Sequence, residues 1–156
     1  MRRAMILICF CLLIPLAGCR GASPARISRW NTPFSADIIG WRNGLPFSAR
    51  LEVSAGEKTI RYTAPASLNG LTATETADGI RVSFGAMVPA ERGDVSGLLV
   101  PLRLLTDPAP LASAQVRNGE TVLTYEDGTE IVLDPSGVPR EATRTDLRFT
   151  VSDWDS

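Results

Sequence analysis

Four dipeptides that tolerate a left-handed backbone, Asn43-Gly44, Asp78-Gly79, Asn118-Gly119 and Asp127-Gly128, each stand between short runs in which apolar and polar residues alternate. Such pairs accommodate the positive φ angles of tight hairpin turns, and a period of two gives each flanking run one apolar face. The chain is therefore expected to fold as consecutive antiparallel hairpins.

The clearest run is Leu45, Phe47, Ala49, Leu51 and Val53 on one face against Ser48, Arg50, Glu52 and Ser54 on the other. Phe34 to Arg42 forms its partner across Asn43-Gly44. After a turn at Gly56, Ile60 and Tyr62 face in against Arg61 and Thr63, and Pro65-Ala66-Ser67-Leu68-Asn69-Gly70 breaks the run. Leu71 to Ala77 and Ile80 to Phe84 make a second hairpin. Ala114 to Arg117, Thr121 to Tyr125 and Thr129 to Leu133 repeat the meander. Asp134-Pro135-Ser136-Gly137 turns the chain, Val138 to Thr145 reads as a polar connection, and Leu147, Phe149 and Val151 alternate in a last strand. The expected count is about nine strands.

Between Gly93 and Leu105 the period changes: Val95, Leu98, Leu99, Leu102 and Leu105 recur at spacings of three and four, as one face of a helix requires. Asp94 or Ser96 is placed to cap it. Pro101 is expected to kink or divide it into a short, irregular helix, because proline lacks the donor and crowds the preceding turn, and Asp107-Pro108-Ala109-Pro110 ends it. A mainly β chain with this many hairpin strands and one short helix curls into a half-open barrel, the helix acting as plug or lid over an apolar hollow. The alternative is a β-sandwich whose two sheets meet face to face.

Ahead of the strands, Arg2 and Arg3, the apolar stretch Ala4 to Leu16 and the small residues before Cys19 follow the order of a secretory signal, and the apolar stretch is shorter than the roughly 20 residues of a comfortable membrane span. Leu16-Ala17-Gly18-Cys19 resembles the bacterial lipobox. That resemblance implies cleavage between Gly18 and Cys19, diacylglyceryl and palmitate-type acylation of Cys19, and a lipoprotein held at the cell membrane on its extracytoplasmic face. Two chains would make such an anchor stable where one would not. The expected division is a signal peptide over 1–18, a lipid-anchored tether over 19–33 and one antiparallel β domain over 34–156. Arg20, Arg26 and Arg29 in the tether are available to anionic headgroups or simply to solvent.

Cleavage would leave residues 19–156, which is 138 residues and enough for one domain with a real core. The cysteines are Cys9, Cys11 and Cys19, so the domain has no disulfide, and histidine is absent. The commonest general base, metal ligand and thiol nucleophile are thus missing, and neither enzyme, metal site nor cofactor is expected. A carboxylate site built from Asp127, Glu130 and Asp134, or from Asp153 and Asp155, competes with turn chemistry and a solvated tail. Loss of Arg2 and Arg3 lowers the basic count from 16 to 14 against 17 acidic residues, a balance of −3 without a nucleic-acid footprint. Lys58 is the sole lysine.

Phe34-Ser35-Ala36-Asp37 opening a hairpin, followed by Pro65-Ala66-Ser67-Leu68-Asn69-Gly70-Leu71-Thr72, resembles the Lol-type lipoprotein carriers and the outer-membrane lipoprotein-sorting family over about Phe34 to Leu133. The resemblance implies an incomplete antiparallel barrel, closed over by helices around a hollow that takes acyl chains. The chain departs from it in lacking an opening helix and in reducing the helical cover to Gly93 to Leu105. On this reading Phe47, Leu51, Ile60, Tyr62, Val82 and Phe84 line an apolar cavity, and Val95, Leu98, Leu99 and Leu102 form its lid. The competing function is a non-catalytic envelope protein that binds a protein partner, with Trp30, Trp41 and Trp154 as candidate anchors.

Overall fold

The structure, a computed structural model, describes residues 32–87 and 95–156. They form one antiparallel sheet: β1 (Phe34–Arg42), β2 (Leu45–Ser54), β3 (Glu57–Ala64), β4 (Leu71–Thr76), β5 (Gly79–Phe84), β6 (Leu111–Arg117), β7 (Glu120–Tyr125), β8 (Glu130–Leu133), β9 (Pro139–Arg144) and β10 (Leu147–Asp155). A 3-10 turn over Ser96–Leu99 leads into α1 (Val100–Thr106) between β5 and β6.

The order across the sheet is β5-β4-β3-β2-β1-β10-β9-β8-β7-β6. Each strand pairs with its neighbour in sequence except at the middle, where β1 pairs with β10, and at the two edges, β5 and β6. Those edges are consecutive in the chain. Had they paired, the sheet would have closed into a barrel; they do not pair, and α1 lies between them in the chain. The sheet is curved, open and single, as the half-open barrel requires, and the sandwich is not adopted.

The turns follow their chemistry. Asn43 and Asn118 take φ of 50° and 54°, with Gly44 and Gly119 at 78° and 85° behind them, so both two-residue hairpins have positive φ at both central positions. Inward residues of both halves join one core: Ala36, Ile38, Leu51 and Ile60 from the first, and Leu123, Ile131, Leu147 and Phe149 from the second. Leu99, Leu102 and Leu105 complete it from above. A seven-residue helix has little stability alone; burying each leucine contributes roughly 1.5–3 kcal/mol, so α1 exists because the sheet receives it.

The strand count and the helix cap differ from expectation. The sheet has ten strands, because the polar connection expected over Val138 to Thr145 contains β9, paired with both β8 and β10. Its inward residue is small because its neighbours are large: Ala142 stands opposite Ile131 on one side and Phe149 on the other. Pro101 divides the helical run into a 3-10 turn and α1, as expected. It lies in the first turn of α1, where a missing N–H costs nothing, and the preceding residues take the tighter 3-10 path. The cap positions are Val95 for the 3-10 turn and Leu99 for α1, neither with a side-chain cap hydrogen bond. Gly93 and Asp94 lie outside the described residues, as do Trp30, the signal, Gly18, Cys19 and the tether through Asn31.

Candidate functional site

Alternation along β1 to β5 aims a continuous apolar surface at the concave side. Phe47, Leu51, Ile60 and Tyr62 are buried there, with the Phe47 and Tyr62 rings 6.1 Å apart and tilted by 58°. Val82 is half-buried and Phe84, at the edge, is partly exposed. Among the lid residues, Leu99 and Leu102 are fully buried, whereas Val95 and Leu98 are half-buried. The structure thus brings both expected groups together on one face, with α1 seated on the first half of the sheet, nearest β3 and β4.

The rim of that seat is polar. Arg42, Lys58 and Glu75 stand at the inward phase of their strands, at or beside strand ends, and each meets the helical segment. Arg42 donates to the Gly97 carbonyl and the Tyr62 hydroxyl donates to the Leu98 carbonyl at 2.8 Å. Glu75 receives both Nε and a terminal nitrogen of Arg103, a bidentate pairing that fixes geometry as well as charge. Lys58 reaches Asp107 just past the end of α1 at 2.5 Å. The sequence reading missed Arg42, Lys58 and Glu75 as members of the site, although a charged side chain at an inward phase was the available signal.

Protonation follows the geometry. Burial pushes the Tyr62 phenol up to about 12 against a smaller opposing pull from Arg42. Burial alone would raise Asp107, but hydrogen bonds from Lys58 and Thr106 and the charges of Lys58 and Arg103 outweigh it and hold the carboxyl below its ordinary value. The Glu75 hydrogen bond raises the already high Arg103 value further, against a smaller cost of burial.

On its other side α1 leaves a cleft of about 140 Å³ lined by Val100, Leu104, Pro108 and Ala109 and flanked by Arg103, Asp107, Asp127 and Arg144. Ligand pockets usually span about 300 to 1,000 Å³, so this cleft holds a fragment and not a whole lipid. Within the second half, the Tyr125 hydroxyl is buried without a hydrogen-bond partner, and burial raises that phenol to about 12 as well.

Of the candidate carboxylates, Asp127 and Asp134 serve their own turns. Asp127 accepts from the Thr129 N–H and hydroxyl, both at 3.0 Å. Asp134 accepts from Ser136 and from the Val138 N–H, and those bonds hold it below its ordinary value against the cost of burial. Among the described residues no group of three or more Asp, Glu, His or Cys is placed to hold a metal ion. Trp154 stacks on Phe34 at 4.2 Å, so its ring face is used within the domain, whereas Trp41 is 55% exposed beside Ile39 on the outer face of β1. No helix of the described residues is long and apolar enough to cross a membrane.

No protein-family model matches the sequence, and no curated protein matches it significantly. Solved structures do. An uncharacterized conserved protein from Thermus thermophilus is similar over 84% of this chain and 83% of its own, with 14% identity and a TM-score of 0.55. A LolA superfamily protein from Nitrosomonas europaea is similar at 11% identity over 80% of this chain and 86% of its own, with a TM-score of 0.44. MucB in complex with MucA is similar at 15% identity over 84% of this chain and 53% of its own, with a TM-score of 0.45, so this chain spans about half of MucB. The likeness in fold rests on the Thermus protein, whose TM-score exceeds 0.5.

Proposed function

We propose that this chain is a lipoprotein of the bacterial cell envelope, cleaved between Gly18 and Cys19 and held on the extracytoplasmic face of a membrane by a diacylglyceryl group on Cys19. Its β domain is a non-catalytic module that binds an apolar ligand such as a lipid or an acyl chain. The observation that carries this reading is the way the hollow is filled: its cover is one seven-residue helix, uncapped by side chains, whose polar ties lie at the rim. An acyl chain replaces Leu99, Leu102 and Leu105 against Phe47, Leu51, Ile60, Tyr62, Val82 and Phe84 when the helical segment swings out. The cleft beside Leu104 is where that separation starts, and the buried Tyr125 hydroxyl is available to a polar group carried inside.

The test is a titration of residues 20–156 with a fluorescent fatty acid or phospholipid probe. Saturable binding is expected, and Leu51→Arg, shown by circular dichroism to be folded, is expected to lose it. A well-folded wild type without saturable binding would sink the lipid reading. For the anchor, labelled palmitate supplied to an expressing bacterium is expected to enter the wild type and not Cys19→Ser; equal labelling of both would refute it.

A protein partner is the second reading, favoured by Ile39 and Trp41, 56% and 55% exposed on the outer face with Pro46 and Arg148 opposite Trp41. An aromatic and an arginine together suit an interface anchor. Trp41→Ala would then release a co-purifying protein while leaving probe binding unchanged.

A further inference from the structure

The two edges of the sheet are finished differently. At β5, Phe84 and Met87 exchange two backbone hydrogen bonds of 2.8 and 3.0 Å, so the chain turns back over the last residue of that edge, and Arg81 sets a charge in its middle. At β6 no such return is made among the described residues. The Asn118-Gly119 turn sets Arg117 opposite Glu120. In a two-residue hairpin the closing pair is hydrogen-bonded and the pattern then alternates. The backbone groups of Arg117 and Gln115 therefore point to β7, and those of Val116 and Ala114 point away from the sheet, where β6 has no neighbouring strand among the described residues.

Natural edge strands are commonly blunted by lysine, proline, inward charge or a bulge. Ser113 to Val116 carries no charge and no proline, and the irregularity in its pairing with β7 lies at the Leu111 end. Arg117 turns onto the Gln115 side chain at 2.8 Å. Val116 is 61% exposed, on the face that Ala114 shares with buried Leu123.

We propose that β6 pairs antiparallel with β6 of a second copy of this chain, about a twofold axis at Gln115. Each Val116 lies opposite the second copy's Ala114, which uses the outward N–H and C=O of both residues and sets a branched side chain against a methyl group. The two Gln115 residues meet in the non-hydrogen-bonded position. A second copy fits because the edge is uncharged, so it meets no like charge, and because large and small residues match in that register. The contact joins the same edge of both copies about a twofold axis, so it is self-complementary and closes at two copies. This inference is independent of what the concave face binds.

The test uses the full chain in bacterial membranes. Residues in a non-hydrogen-bonded antiparallel pair have Cα atoms about 4.5 Å apart, within the range of roughly 4.4–6.8 Å that a disulfide spans. Gln115→Cys is expected to give a disulfide-linked homodimer under mild oxidant, absent from the wild type and from Arg81→Cys on β5. Adding Val116→Pro, which removes an outward donor and no bond to β7, should lower the dimer about tenfold. Val116→Lys, an exposed change that leaves the fold untouched, should act in the same direction. Folded Gln115→Cys protein that stays monomeric, a dimer unaffected by either second substitution, or a cross-link to a different protein would overturn the proposal.

Discussion

The Tyr62 hydroxyl on β3 donates to the Leu98 carbonyl at 2.8 Å, tying the sheet to the turn that introduces α1. Because the ring also packs against Phe47, Tyr62→Phe removes the bond and keeps the packing. The variant should lose about 1 kcal/mol in urea unfolding, and amide exchange at Leu102 and Leu105 should accelerate more than in β8. Unchanged helix exchange would show that Tyr62 does not hold the helical segment.

Both tyrosines of the chain, Tyr62 and Tyr125, are buried, and burial raises each phenol to about 12. A folded value above the unfolded value of about 10 means that stability is fully present below pH 10 and is lost as pH rises toward 12. Phenolate absorbance should appear only above pH 10 and together with loss of the β-sheet circular dichroism signal. Ordinary titration near pH 10 in a still-folded protein would contradict the burial of both rings.

Asp107, Asp134 and Asp146 are all held below their ordinary value. Their stabilisation is present above the unfolded carboxylate value of about 3.9 and disappears as pH falls through the lower folded values. Thermal stability should therefore be level near neutrality and drop below pH 4. Asp107→Asn should flatten that drop and, by releasing Lys58, speed exchange in α1 at neutral pH.

Gly40 faces the β1–β10 seam, where an added Cβ would fall on the Arg148 carbonyl oxygen and 2.5 Å from the Phe149 Cβ. Gly40→Ala forces the two central strands apart and should cost at least the roughly 1–3 kcal/mol of an overpacked core, read as a lowered melting temperature. A neutral result would mean that the seam yields freely.

The hairpins and their inward faces were legible because turn dipeptides and a period of two are local signals. The strand Phe34–Arg42 and the hairpin of Leu71 and Phe84 needed nothing more. β9 escaped because Ala142 carries little hydrophobic signal; only its place between Ile131 and Phe149 makes a small residue sufficient. The division of the helix at Pro101 was readable, whereas its caps were not, because Val95 and Leu99 hold those positions without a side-chain hydrogen bond. In the candidate site the apolar members were readable from alternation, whereas Arg42, Glu75 and Lys58 acquire their meaning from α1, which reaches them from another part of the chain.

The pairing of Ser35 with Asp155 and of Arg42 with Leu147 joins the first strand to the last. During synthesis β1 leaves the ribosome with only β2 for company, and one whole side of it waits until nearly the entire chain has followed. Each five-strand half assembles from neighbouring hairpins, which is fast, but the step that unites them is the slowest to become available. A chain that stops before Leu147 keeps the pairings among β1 to β5 and among β6 to β9, and lacks the strand that makes the two halves a single body.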